Sequence, residues 1–319
     1  MPILEVKGVK MYYELERRGF VKAVDDVSVM LEKGSLGLAG ESGCGKTSLA
    51  LTIMRLLPTN ARIMGGQVLF DGEDILKMPE EQFNKHIRWK KIAMVFQGAM
   101  NALNPVFKVG YQIAEPLIYH ENVSKEEAWR RARELLKMVG MEPRWADAYP
   151  HELSGGMKQR AVIAMALACN PKLLIADEPT TALDVVVQAR ILKLLERLKD
   201  ELGINIVLIT HDLSIISELC DSVAIMYAGK IVEIGDVHDV FEEPLHPYTK
   251  GLLSAIPSVK GKKRRLTSIP GVPPDLLNPP PGCRFWPRCS LADEECQRVE
   301  PELKYLGEGR WVACHKVGA

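Results

Sequence analysis

The chain has 319 residues, 47% hydrophobic and 26% charged, a globular balance long enough for a large core and more than one folding unit. Lys plus Arg and Asp plus Glu balance at 41 each, so no net field draws the chain to nucleic acid or to an anionic membrane. The opening MPILEVKGVK has neither a basic start nor a long apolar segment, and no run reaches the roughly 18 apolar residues of a spanning helix; both features predict a cytosolic chain.

In chain order, the first 35 residues alternate as strands do, with ILEVKGVKMYY and VKAVDDVSVML around a polar turn. SLGLAG reads as a short buried strand and TSLALTIMRLL as a helix after it. QVLF, KIAMVF, KLLIADE, INIVLITHD and SVAIMYAG read as further buried strands separated by helices, which predicts an α/β fold with a mainly parallel sheet. Between Gln97 and about Pro171 the strand signals stop. Ser124 to Glu127 spells a capping box, Ala128, Ala132, Leu135, Leu136 and Val139 share one helix face, and Gly140 ends it; a helical subdomain over about 98–170 follows. The first domain is taken as 1–256. Beyond it, prolines leave little room for regular structure, and residues 257–319 read as an appended module, its basic run Lys260–Arg265 a solvated spacer.

GESGCGKT, Gly40 to Thr47, fits G-x-x-x-x-G-K-[ST] and lies between strand and helix, as that motif must. Gly40, Glu41, Ser42, Gly43, Cys44 and Gly45 would turn their N–H groups onto phosphates, Lys46 would reach the β- and γ-oxygens, and Thr47, followed by Ser48, is placed for Mg²⁺. At the end of KLLIADE, Asp177 would hold magnesium through water and Glu178 would polarise the attacking water. Gln97 and His211 close two other buried strands, at the sheet edge where open α/β folds bind ligands. LSGGMKQR, Leu153 to Arg160, reads as a second helix start with Ser154 as cap and bare backbone at Gly155 and Gly156, again suited to an anion.

These motifs, with TALD at Thr181 to Asp184, stand in the order and spacing of the ATP-binding subunits of ABC transporters, a resemblance that spans about residues 3–256. It implies a P-loop NTPase (RecA-like) core, an antiparallel β subdomain, and a helical subdomain that carries LSGGMKQR. It also implies a head-to-tail dimer, in which Ser154, Gly155, Gly156 and Gln159 of one chain cover the ATP held by the other. Glu178 would be the general base, Gln97 a magnesium ligand with Thr47 and Asp177, His211 a γ-phosphate contact and Asp184 an inter-subunit link. Adenine would stack on Tyr13, with Tyr12 the alternative.

LNP at Leu103–Pro105, LSGGMKQR, HPYTKGLL at His246–Leu253 and the tail PPPGCRFWPRC resemble the oligopeptide and dipeptide importer branch more closely. That branch implies a second ATPase subunit, as heterodimer or homodimer, two membrane permease subunits and an external binding protein, with the chain peripheral on the cytoplasmic membrane face. Its carriers also take oligosaccharides or nickel. The text departs from the branch in FQGAM for FQDPM and in Cys44 for serine; neither change removes a ligand. A soluble ABC ATPase acting on DNA or ribosomes is the rival, but one cassette without a heptad run speaks against it, and no NKxD guanine motif is present.

Seven cysteines, an odd number, argue against a disulfide framework. Cys283, Cys289, Cys296 and Cys314 crowd the last 40 residues without the C-x2-C knuckle of structural zinc. Four thiolates can hold an iron–sulfur cluster, and the resemblance points to [4Fe–4S]; zinc, or free or oxidised thiols, are the alternatives.

Overall fold

The computed structural model describes residues 1–16, 18–98, 102–255 and 269–317. The basic run Lys260–Arg265 and the Ala99–Met100 pair of FQGAM lie outside them. The chain divides into two compact units, Met1–Leu76 with Ile209–Ala319, and Lys77–Leu208.

The first unit begins with the long strands β1 (Leu4–Leu15) and β2 (Gly19–Leu31), then β3 (Ser35–Ala39), α1 (Lys46–Ile53), β4 (Ala61–Phe70) and β5 (Glu73–Asp74). An antiparallel sheet runs β2-β1-β4-β5. QVLF therefore belongs to this sheet and not to the parallel one predicted. Only its alternate positions, Val68 and Phe70, are fully buried, as a strand with one wet face requires.

The second unit contains α2 (Glu80–His86), β6 (Ile92–Val95), α3 (Val109–Glu121), α4 (Lys125–Met138), α5 (Gly155–Ala166), β7 (Leu173–Asp177), α6 (Val185–Leu202) and β8 (Asn205–Ile209). Strands β8, β7 and β6 are neighbours, β6 and β7 parallel, and every residue in all three is buried. The expected face of α4 packs inward, with Ser124 Oγ accepting from Glu127 N (3.2 Å) and Gly140 at φ +71° ending the helix.

The chain returns to the first unit through α7 (Leu213–Leu219), β9 (Ser222–Tyr227), β10 (Lys230–Asp236), α8 (Val237–Glu242) and α9 (Pro247–Ser254). It ends with α10 (Glu294–Arg298), β11 (Lys304–Gly307) and β12 (Arg310–Val312). Here the neighbours run β11-β12-β10-β9-β3, parallel only between β3 and β9. The β9–β10 hairpin turns on Ala228 and Gly229, both at positive φ (48° and 83°), the twist a two-residue hairpin needs. The tail also departs from expectation. Despite its prolines it forms two strands, and β12 pairs with β10 at Glu233↔Val312, so it extends a sheet of the first unit. Glu233, fully buried, anchors it by accepting from Arg310 Nη2 (2.8 Å), Leu245 N (2.9 Å) and His246 N (2.9 Å).

Asp221 sets the β3–β9 register. Its Oδ2 accepts from both Ser35 N and Ser35 Oγ, each at 2.8 Å, one residue before the parallel pairing begins at Leu36↔Ser222. Replacing Asp221 with Ala strips the buried Ser35 of these partners, and we expect a loss of about 1–3 kcal/mol in urea unfolding at neutral pH.

Candidate functional site

In the first unit, β3 ends in a loop whose shape depends on glycine. A Cβ on Gly40 would collide with the Met226 carbonyl, and one on Gly45 with the Ala23 carbonyl; both residues sit at positive φ (146° and 107°). Lys46, the first residue of α1, turns back over this loop. Its Nζ donates to the carbonyls of Gly40 (2.7 Å) and Glu41 (2.9 Å) and stands 3.5 Å from Cys44 Sγ. An ammonium held over a glycine loop at a helix start is the arrangement that binds phosphate. Cys44 is buried, and burial pushes its thiol pKa up, so it serves as a backbone element: its carbonyl accepts from Gly229 N (2.8 Å). Ser42, Gly43 and Thr47 are exposed along the loop rim. Tyr13 Oη lies 3.0 Å from Ser48 Oγ in the first turn of α1, whereas the Tyr12 hydroxyl donates to Asp25 (2.6 Å); of the two, Tyr13 adjoins the loop helix. His211 is exposed just ahead of α7.

In the second unit, three residues converge. Glu178 Oε2 accepts from Gln97 Nε2 (2.9 Å) and from Thr181 Oγ1 (2.8 Å). Glu178 itself holds left-handed backbone (φ 46°), unusual for a glutamate, with Thr181 N donating to its carbonyl (3.2 Å). Such a backbone costs about 1–3 kcal/mol, and the two donors hold the carboxylate in place. Thr181 was not singled out as a Glu178 partner by sequence; its spacing, three residues on, is the signal. Asp177, 1% exposed, closes β7 beside it.

Ser154 caps α5, its Oγ accepting from Met157 N (3.4 Å). Gly156 has a second purpose that sequence did not reveal. A Cβ there would press into Val187 of α6, so glycine also permits close packing of α5 on α6. Gln159 of the same motif is 3% exposed, on the inner face of α5. Asp184 caps α6 by accepting from Val187 N (3.0 Å), and beside it Val185 and Val186 are 80% and 61% exposed, apolar residues of the kind an interface covers.

The four tail cysteines come together. Cys283, Cys289, Cys296 and Cys314 line one small cavity with His246 and His315, and no cysteine of the chain is in a disulfide. Leu291 N points at Cys289 Sγ and Lys316 N at Cys314 Sγ, both at 3.4 Å, while Cys283 N donates to Cys296 O (2.8 Å). Burial pushes the Cys283 thiol up to about 11 and raises those of Cys296 and Cys314. Among the described residues, no group of three or more His, Cys, Asp or Glu is placed to hold a metal ion.

Comparison with known proteins places this geometry. A family described as ABC transporter matches residues 24–181, and the oligopeptide/dipeptide transporter C-terminal region matches residues 232–296. The chain is 47% identical over 316 residues to the oligopeptide transport ATP-binding protein AppD of Bacillus subtilis, covering 98% of this chain and 96% of that one. This chain belongs to the ABC transporter ATP-binding family. OppD of Escherichia coli, also named an oligopeptide transport ATP-binding protein, is likewise 47% identical, with 98% of this chain and 93% of that one covered. Among solved structures, the dimeric bacterial ABC transporter cassette MJ0796 matches with a TM-score of 0.66 and 30% identity over 73% of this chain and 98% of that one. The fold is thus the P-loop ATPase cassette that the motifs predicted.

The loop geometry yields a direct test in this ABC family member. Gly45→Ala should displace the loop from Ala23 and weaken ATP binding at least tenfold by equilibrium titration, while far-UV circular dichroism stays unchanged.

Proposed function

We propose that the chain is the ATP-hydrolysing subunit of an ABC importer for peptides. The full-length identity to oligopeptide transport ATP-binding proteins, tail included, carries this reading. Peptide is the cargo that those names give; oligosaccharides or nickel are the other cargoes of the branch. The chain acts peripherally on the cytoplasmic membrane face, with a second ATPase subunit of the same or a related sequence, two permease subunits and an external binding protein. No described helix is long and apolar enough to cross a membrane.

In the reaction, Lys46 exchanges its loop carbonyls for β- and γ-phosphate oxygens, and the loop N–H groups share the remaining charge. Tyr13 supplies the adenine stack. Thr47, Gln97 and Asp177 are the residues that would hold Mg²⁺, which when bound neutralises charge on the phosphates. Glu178, oriented by Gln97 and Thr181, accepts a proton from water as its oxygen bonds to the γ-phosphorus and the bond to the ADP oxygen breaks. His211 contacts the γ-phosphate. Ser154 with the N–H groups of Gly155 and Gly156 closes the nucleotide of the partner subunit, with Asp184 linking the two.

We further propose that Cys283, Cys289, Cys296 and Cys314 would hold a [4Fe–4S] cluster. Four soft sulfur donors from separate segments line one cavity, and two receive N–H groups of the kind that stabilise cluster-bound sulfur. Bound there, a cluster would tie the segments together and supply one-electron redox chemistry.

Two outcomes test these readings. Glu178→Gln should retain ATP in a stable dimer and lose at least 100-fold in turnover; hydrolysis at the parental rate would falsify the base role. Protein purified without oxygen should carry about four irons and four acid-labile sulfides per chain, and a full complement of zinc instead would exclude the cluster.

A further inference from the structure

Between the first two tail cysteines runs CRFWPRC, Cys283 to Cys289, and both of its arginines point inward. Arg288, 8% exposed, makes a two-pronged pair with Glu41: Nη1 to Oε2 at 2.6 Å and Nη2 to Oε1 at 2.9 Å. Its Nε donates to the Pro270 carbonyl (2.8 Å), and its guanidinium stands 5.8 Å from the Tyr227 ring centre. The ion pair spans 247 residues of sequence and joins the tail to the nucleotide loop.

Glu41 occupies one of the four unspecified positions of G-x-x-x-x-G-K-[ST], yet every polar group it has is engaged. Its carboxylate holds Arg288, its N–H donates to Tyr248 Oη (2.8 Å), and its carbonyl accepts from Lys46 Nζ (2.9 Å). The backbone on which Lys46 rests is therefore gripped from the tail side. Arg284 makes a parallel grip nearby: it bonds Asp25, which also takes the Tyr12 hydroxyl, and the Ala228 carbonyl. Gly229, next in the chain, donates to Cys44 of the same loop (2.8 Å).

We propose that Arg288 is a positioning residue for nucleotide. Through Glu41 it fixes the loop backbone under Lys46, and so sets the affinity for a triphosphate. Arg288 touches no reacting atom and acts only through Glu41. The forked, planar guanidinium matters here, since a lysine offers one point charge where two parallel bonds are made. Arg288 also immediately precedes Cys289, so a displacement of that cysteine moves the guanidinium and passes to the loop. The proposal rests on reading the loop as an ATP site.

The experiment is equilibrium binding of a fluorescent ATP analogue to the full chain, with thermal unfolding run on each variant. Lys46→Ala serves as reference: loss of binding upholds the ATP reading, and retained binding overturns that reading rather than this one. With Lys46→Ala inactive in binding, Arg288→Ala should weaken affinity about 5- to 30-fold, and Arg288→Lys should recover only part of it. Glu41→Ala should match Arg288→Ala, and the double variant should be no weaker than either alone, because both remove one interaction. Should Arg288→Ala fail to fold, Arg288→Lys and Glu41→Gln keep the side-chain bulk and carry the same reading. Folded variants that bind within twofold of the parent, or single losses that simply add, overturn the proposal.

Discussion

Gly40 and Gly45 stand where the carbonyls of Met226 and Ala23 leave no room for a Cβ, and the whole nucleotide site depends on that closeness. Because the loop can press against those two backbones, it is braced on β9 and β2 and need not be ordered afresh by each ligand. The bracing also lets Lys46 turn back over its own loop, with its charge satisfied by two carbonyls until phosphate oxygens replace them. A site arranged beforehand costs little reorganisation when charge arrives, which is the main source of catalytic power in phosphoryl transfer.

The same economy appears at Glu178. A glutamate in left-handed backbone is a costly local choice, and the second unit keeps it by donating to its carboxylate from Gln97 and Thr181. Any movement that withdraws Gln97 also removes one of the two donors that hold the Glu178 carboxylate.

The tail is built into the first unit by strand pairing and ion pairs. Its strand β12 extends the β9–β10 hairpin, Arg310 is tied to the buried Glu233, and Arg284 and Arg288 reach the β2 and nucleotide-loop backbones. Burial alone works against the charge on Asp25, yet the Tyr12 hydroxyl and the cations Lys230 and Arg284 hold its carboxyl below the usual range.

Much of this was legible in the chain itself, wherever the chemistry is local. The glycine loop, the apolar runs of β3, β7 and β8, the Ser124 cap and the α4 face depend on neighbours within a few residues, so spacing revealed them. QVLF was misassigned because four apolar-rich residues look alike in a buried parallel strand and in a half-wet antiparallel one. The tail strands β11 and β12 were hidden because short, proline-flanked segments gain their order from β10, not from themselves. Sequence by itself determined the ABC cassette and its glycine-loop motif, because both rest on short-range spacing. Only the tertiary structure decided that Gly156 serves packing, that Thr181 aims Glu178, and that the tail grips Glu41, since each of these depends on contacts between elements that no local pattern encodes.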